Sequence, residues 1–389
     1  MHKCPELVSL SAVHWDFPLV GRTRMLSEQW SQMGQTQHFV QFPSYGNFIR
    51  GLRPKSLPSF AVQPWPSLPP VLWPYIPSRP FESSFRWAAK QLYRQLSRQV
   101  KIEESVALVV SPAWTPWLKA LPFAHVIYDC IDDVSVMTLR PELQLLFEAW
   151  ERDLIHQADA VVTSADTLSA RILELRPDIP TTTIRNGCPA DDFAKAAASA
   201  ARPTDLPHHD HRPIVGFVGA LYDWIDWELI DRVTEKRPEV DFVFVGPIQG
   251  QIRQTLLERE NTFFLGAREY REVPGYLAHF DLCWLPFQKN QVSQSANPIK
   301  IYEYLSVGKP VVSTPVADME SYERQVDFGQ GAENIAELIR IGLIKALAPA
   351  AEREKTERNR KAFAQRQDWR TRAADYVDFV STRFGIRGT

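Results

Sequence analysis

Short apolar runs alternate with amphipathic stretches from the start of the chain. The runs at 6–13, 38–42, 106–111, 125–130, 160–164 and 181–185 predict strands, and the stretches at 22–33, 83–99, 142–156 and 167–175 predict helices. Several runs are apolar without interruption, as in Val106-Ala107-Leu108-Val109-Val110. A parallel sheet covered on both faces requires that pattern. The alternation pauses at 194–212, which is rich in Ala, Pro, His and Asp and has no apolar period, so a linker is expected there. It then restarts, with strands at 214–218, 242–245, 262–265, 282–286 and 310–313. Helices are expected at 227–236, from about 251, at 273–280, 298–306, 333–347 and 368–384. The pattern predicts an α/β chain of two Rossmann-like, doubly wound domains, 1–193 and 213–367, facing each other across a cleft. A C-terminal helix at 368–389 is expected to pack back towards the first domain. Ligands of such folds sit outside the carboxyl ends of the parallel strands.

A length of 389 residues suits two such domains. With 44% apolar and 23% charged residues and a net charge of −2, a wholly disordered chain and a generally basic nucleic-acid binder are both excluded. Four cysteines, Cys4, Cys130, Cys188 and Cys283, lie far apart without a Cys-x-x-Cys. That spacing argues against a disulfide scaffold or a structural zinc site and for a reducing compartment. The apolar stretch at 7–13 is short for a leader peptide, so a cytoplasmic location is expected. Residues 56–78 carry no charge over 23 positions but hold seven prolines. Proline removes backbone donors that lipid cannot replace, so this segment reads as an extended loop and not a membrane span.

The richest stretch for chemistry is Ser295-Ala-Asn-Pro-Ile-Lys-Ile-Tyr-Glu-Tyr-Leu-Ser-Val-Gly-Lys-Pro-Val-Val-Ser-Thr314. Asn297 suits a helix cap and Pro298 the first turn, while Gly308 and Pro310 stop the helix, giving a helix over 298–307. Its amino end offers unpaired N–H groups to an anion. Lys300 and Glu303 share a face, about 4.5 Å apart along the axis. A cation followed one turn later by a carboxylate suits a diphosphate followed by a ribose, but an ordinary surface ion pair has the same spacing.

This stretch resembles the nucleotide-binding motif of GT-B glycosyltransferases, of the bacterial group 1 or family 4 kind. Other pieces fall in the order of that family. They are Ile184-Arg-Asn-Gly-Cys-Pro-Ala-Asp-Asp-Phe193, Gly216-Phe-Val-Gly-Ala-Leu-Tyr-Asp-Trp-Ile-Asp-Trp-Glu-Leu229, Phe263-Phe-Leu-Gly266, Val273-Pro-Gly-Tyr-Leu277 and Phe280-Asp-Leu-Cys-Trp-Leu-Pro-Phe287. The resemblance implies that Glu303 holds the ribose and Lys300 the diphosphate. It also implies that Gly219 lets the loop backbone approach the phosphates. Two positions depart from the family pattern: Ser295 stands where a second Glu is usual, and Ala220 where an Arg is usual. Lys300 is then the diphosphate cation, with Arg268 as its helper. Asn297 and Ser295 complete the donor-binding set, and Tyr222 opens a Trp-rich loop, 222–227, that either shapes the pocket or packs as core.

Glycosyl transfer with inversion needs a base for the acceptor hydroxyl. Asp132 is the first candidate because it follows the strand ending at Cys130; Tyr128-Asp-Cys-Ile-Asp-Asp133 resembles an acceptor-domain segment of GT-B enzymes, and certain inverting exopolysaccharide glucuronosyltransferases carry a base Asp at a similar place. The other reading of Asp129, Asp132 and Asp133 is capping or a solvated acidic turn. His14, with Asp16, is the second candidate; a hydrogen-bonded loop histidine is its alternative. His208, His209 and His211 lie in the expected linker without a second ligand cluster. The resemblance implies no metal, and no cofactor beyond the nucleotide sugar as co-substrate.

Residues 50–101 hold nine Lys or Arg and one acid, for a local net charge of +8, together with eight aromatics. Arg86, Lys90, Arg94, Arg98 and Lys101 recur at helical spacing beside Trp87. Cationic stripes with Trp and Tyr suit an anionic bilayer surface, at which a lipid-linked or polysaccharide acceptor is met; a solvated helix face is the alternative. The expected function is glycosyl transfer in bacterial surface glycan synthesis, with no nucleic-acid partner. A dehydrogenase is disfavoured because no Gly-x-Gly-x-x-Gly follows a strand. A non-catalytic sugar-nucleotide-binding protein on the same fold is the alternative.

Overall fold

The computed structural model describes residues 4–11, 13–15, 21–41, 58–62, 82–136, 141–208 and 211–385. The chain divides into two compact units, Met1–Arg185 with Arg372–Thr389, and Asn186–Thr371.

The first unit is built on a seven-stranded parallel sheet. Its strands are β1 (Leu7–Leu10), β2 (Gln37–Val40), β3 (Ala61–Val62), β4 (Val106–Val109), β5 (His125–Cys130), β6 (Ala160–Thr163) and β7 (Thr181–Thr183). They run in the order β3-β2-β1-β4-β5-β6-β7. Every residue of β1, β4 and β6 is buried, the two-faced burial their uninterrupted apolar runs require. The order reverses between β1 and β4, the place where such sheets bind ligands. One buried ion pair ties distant parts of this unit. Arg22, which opens the helix Arg22–Gln32, reaches Asp129 of β5 at 3.1 Å, with Tyr376 of the helix Trp369–Phe384 beneath the guanidinium.

The second unit repeats the plan with six parallel strands: β8 (Ile214–Val218), β9 (Asp241–Val245), β10 (Thr262–Gly266), β11 (Leu282–Leu285), β12 (Val311–Ser313) and β13 (Val326–Phe328). Their order is β10-β9-β8-β11-β12-β13. Side chains alternate between two cores, as a period of two demands. Ile214, Val218, Val243, Val245, Cys283 and Leu285 face one side, against Ile301, Tyr304 and Leu305. Val215, Phe217, Phe242, Phe244, Leu282 and Trp284 face the other, against Ile230, Val233, Ile335 and Ile339.

Several expectations change. The units part between Arg185 and Asn186, and 194–212 is not a free linker. Residues Ala190–Ala198 form a helix that buries Ala190 and Phe193 in the second unit, and Asp205 pairs with Arg268 there. Helix Trp369–Phe384 changes unit along its length, since Arg372 onward groups with the first. Within the uncharged run at 56–78, Ala61–Val62 is an edge strand on β2; its residues 56–57 and 63–78 lie outside the described residues. The helix expected over 83–99 is Glu82–Leu96. Ser97 bonds back to the Tyr93 carbonyl, and Val100 and Ile102 turn into the core. Arg98 and Lys101 therefore fall beyond the helix, and Lys101 pairs with Glu104.

Among the described residues no helix is long and apolar enough to cross a membrane, and no group of three or more His, Cys, Asp or Glu side chains is placed to hold a metal. The four cysteines are free thiols.

Candidate functional site

The second unit gathers a charged cluster at the amino end of the helix Ile299–Ser306. Four of its eight residues explain why this helix lies where it does: Ile301, Tyr302, Tyr304 and Leu305 are buried in one core. Tyr304 adds a directional bolt. Its Oη accepts the Val218 N–H at 2.8 Å and donates to the Val218 carbonyl at 3.1 Å, fixing the helix to the carboxyl end of β8. Gly219 follows at once. A Cβ built there would lie 3.5 Å from Lys300 Cε, so the lysine stem runs directly over this glycine. Gly246, after β9, approaches the same loop even more closely, within 1.8 Å of the Gly219 carbonyl oxygen from its would-be Cβ.

Lys300 and Glu303 do meet, Nζ to Oε2 at 2.8 Å. Their surroundings are unequal, with 27% of the lysine side chain accessible but only 1% of the glutamate's. The second oxygen of Glu303 accepts from Tyr270 Oη at 2.8 Å, and Lys300 Nζ lies 5.9 Å from the centre of the Tyr270 ring. Tyr270 begins a 3₁₀ turn, Tyr270–Glu272, just after β10. Sequence reading missed Tyr270 and Tyr304, although Tyr304 lies inside the recognised motif. The only signal for Tyr270 is its place after a strand's carboxyl end.

Asn297 does not cap the helix. Pro298 is the capping residue, in extended conformation and with no side-chain hydrogen bond to the helix. Asn297 is turned inward instead. Its Oδ1 accepts from Asn186 N at 2.9 Å, and its Nδ2 donates to Tyr302 and Tyr322. Tertiary partners outcompete the local cap, and the first N–H groups of the helix are left without a side-chain acceptor, as an anion-binding helix end requires. Ser295 is buried, with its hydroxyl donated to the Gln291 and Val292 carbonyls of the short helix Gln291–Ser295.

Arg268 is engaged elsewhere. It contacts Asp205, donates to Tyr276 Oη at 2.7 Å and to the Ala267 carbonyl at 2.9 Å, and lines a separate cavity with Asp205, Pro274 and Tyr276. These partners hold its guanidinium above the usual arginine value, the Asp205 hydrogen bond most of all. Tyr222 leans on Trp224 at 5.1 Å between ring centres. In the same loop Ile225 is core, and Asp226 caps the helix Trp227–Lys236 by accepting from Leu229 N. No contact joins Arg268, Ser295 or Tyr222 to the Lys300–Glu303 pair among the described contacts.

In the first unit, Asp132 follows β5 and His14 follows β1, both beyond strand carboxyl ends. The three acids of the 129–133 turn have different fates. Asp129 is paired with Arg22, and Asp133 with Arg171 at 3.1 Å. Asp132 is exposed, and no hydrogen bond to its carboxylate is found among the described residues. Although the residue's surface is open, the density of chain around the carboxyl first, and the Asp133 charge second, push it above the usual aspartate range. His14 is half-buried, and Asp16 lies outside the described residues. On the helix Glu82–Leu96, Trp87, Lys90 and Arg94 are exposed, as is Arg98 just past its end. The side chain of Arg86, the basic residues at 50, 53, 55 and 79, and His209 lie outside the described residues. His208 and His211 are exposed.

Residues 212–341 match the family model described as glycosyl transferases group 1. A curated relative, the putative teichuronic acid biosynthesis glycosyltransferase TuaH of Bacillus subtilis (strain 168), is 28% identical over 204 residues. That match covers 49% of this chain and 50% of TuaH, so the chain spans about half the length of this relative. Among solved structures, Anabaena HepE in complex with UDP and glucose superposes with a TM-score of 0.69 at 14% identity, over 98% of this chain and 100% of that one. A glycosyltransferase from Rickettsia africae gives 0.70 at 12% identity, over 98% and 99%. The E. coli structure described as trehalose-6-phosphate bound with UDP-2-fluoro glucose gives 0.66 at 13% identity, over 97% and 99%. The likenesses to solved structures extend over 97–98% of the chain and show its fold to be GT-B.

Proposed function

We propose that this chain, which has the GT-B fold and over residues 212–341 matches the model of the group 1 glycosyl transferases, moves a sugar from a nucleoside-diphosphate donor to a hydroxyl acceptor. One observation carries the reading. A partly accessible lysine, a buried carboxylate and an uncapped helix amino end converge beside a glycine at the carboxyl end of β8, the strand at which this sheet's order reverses. Lys300 and the helix end supply positive potential where a leaving diphosphate gathers charge. Glu303 supplies acceptors for vicinal ribose hydroxyls. UDP in the HepE complex and UDP-2-fluoro glucose in the E. coli structure favour a uridine nucleotide, and the likeness to TuaH favours a role in polysaccharide biosynthesis.

A panel of nucleotide sugars tests this. The matching donor at a hundredfold excess over Kd stabilises the protein by about 2.7 kcal/mol and raises its melting temperature by several degrees. Without acceptor, the protein also releases free nucleotide slowly. Stabilisation without any release favours the second reading, a non-catalytic sugar-nucleotide binder, to which Ser295 and Ala220 lend support as departures from the family pattern. No response to any member of the panel contradicts both.

Asp132 is proposed as the acceptor base. A base acts when ionised, and its raised pKa moves ionisation to higher pH. Transfer by the wild type should therefore climb with pH along an acid limb above the ordinary aspartate value of about 3.9. A limb at or below that value, or one unchanged in Asp132→Asn, contradicts the assignment. The exposed Trp87, Lys90 and Arg94 support docking on an anionic bilayer. The full chain should float with phosphatidylglycerol vesicles at low salt and release at high salt. No flotation at low salt removes the idea.

A further inference from the structure

The pair recognisable in the sequence is, in the fold, a cluster of three. Glu303 has a partner on each oxygen, Tyr270 on Oε1 and Lys300 on Oε2, both at 2.8 Å. The two partners differ in their freedom. Lys300 reaches Glu303 along a flexible stem that is 27% accessible. Tyr270 is held by what surrounds it. Its turn is closed by a capping box between Glu269 and Glu272, and its ring packs on Phe193 at 5.3 Å. An arriving diphosphate brings charge that competes for Lys300. Once Nζ leaves, Glu303 is a buried carboxylate with one vacated oxygen, a costly state unless another donor takes the place.

We infer that Tyr270 is a positioning residue for donor binding: it anchors Glu303 while Lys300 exchanges from the carboxylate to the diphosphate, so that the vacated Oε2 is presented to the ribose hydroxyls. The inference rests on the nucleotide-sugar reading. Binding is then a partner exchange in which the phosphates take the cation and the ribose takes its former acceptor. The phosphate and ribose contacts are coupled through Glu303, and the Tyr270 hydroxyl fixes the geometry of the ribose half.

The test is titration of the full chain and its Tyr270→Phe variant with UDP, 2′-deoxy-UDP and inorganic pyrophosphate. Tyr270→Phe keeps the ring and removes one hydroxyl. The wild type should prefer UDP over 2′-deoxy-UDP about tenfold or more, the range of one hydrogen bond to a charged group. In Tyr270→Phe that preference should shrink to about threefold or less, and pyrophosphate, which draws Lys300 away and returns no donor to Glu303, should weaken as well. A purely structural Tyr270 weakens UDP and 2′-deoxy-UDP by the same factor, and an idle one weakens neither; in both cases the preference stays intact, and that result overturns the inference. If the wild type binds neither UDP nor pyrophosphate, the nucleotide-sugar reading itself has failed, and the inference with it.

Discussion

Lys300→Ala should lower kcat/KM for the nucleotide-sugar donor by about 10²–10³-fold, the range seen when one preorganised group facing developing charge is removed. Two observations set this size. Among the site residues Lys300 is the one cation aimed along the Gly219 loop, since Arg268 is committed to Asp205 and Tyr276. Ala220 stands where the resembled family carries an arginine, and among the described residues no neighbour is seen to take over the charge. The same substitution strips Glu303 of its counter-ion. Removing one member of a fully buried pair costs about 3–5 kcal/mol, and with part of Lys300 in solvent the expectation falls to about 1–2 kcal/mol. Steady-state kinetics and urea unfolding separate the two effects. A kcat/KM within about threefold of wild type contradicts the role given to Lys300.

Gly246→Ala should cost about 3–5 kcal/mol and abolish nucleotide binding with it. Gly246 has φ of +152°, and a Cβ there falls 1.8 Å from the Gly219 carbonyl oxygen and 2.6 Å from its carbon. Both obstacles are backbone, so no rotamer change relieves them. Either β8 and β9 part, or the loop that carries Gly219 moves away from Lys300. Gly250 is the control: its φ is +89°, but nothing lies within 4 Å, so Gly250→Ala carries conformational strain alone, about 1 kcal/mol. Urea unfolding of the two variants should show the large loss only for Gly246. Equal losses would mean that strain, and not the approach to Gly219, sets the cost.

The strands were legible because parallel strands buried on both faces are unbroken apolar runs, and β5 spans the residues its run predicts. Elements without such a signature were not. Ala61–Val62 is two residues long and owes its existence to β2, while the helix Ala350–Arg366 is highly charged and buries only Phe363 and Ala364. The helix at 190–198 is short and alanine-rich, with Phe193 as its one large apolar residue, so it gives a weak signal. At the site, the Lys300–Glu303 pair followed from i,i+3 spacing, because both residues sit on one helix. Tyr270 stands 33 residues from Glu303, Tyr304 stands 86 from Val218, and the Arg22 partner of Asp129 lies 107 away. Contacts at those separations are products of topology. The same cause undid the Asn297 cap: a good local cap residue was claimed by Asn186, Tyr302 and Tyr322.

An activated sugar's nucleotide should sit with its diphosphate at Lys300 and its ribose at Glu303. Diffraction from crystals grown with UDP decides this. Phosphate oxygens should lie within hydrogen-bonding distance of Lys300 Nζ, ribose hydroxyls on Glu303 Oε2, and Tyr270 still on Oε1. UDP bound elsewhere on the chain, with Lys300 and Glu303 still joined, would contradict it.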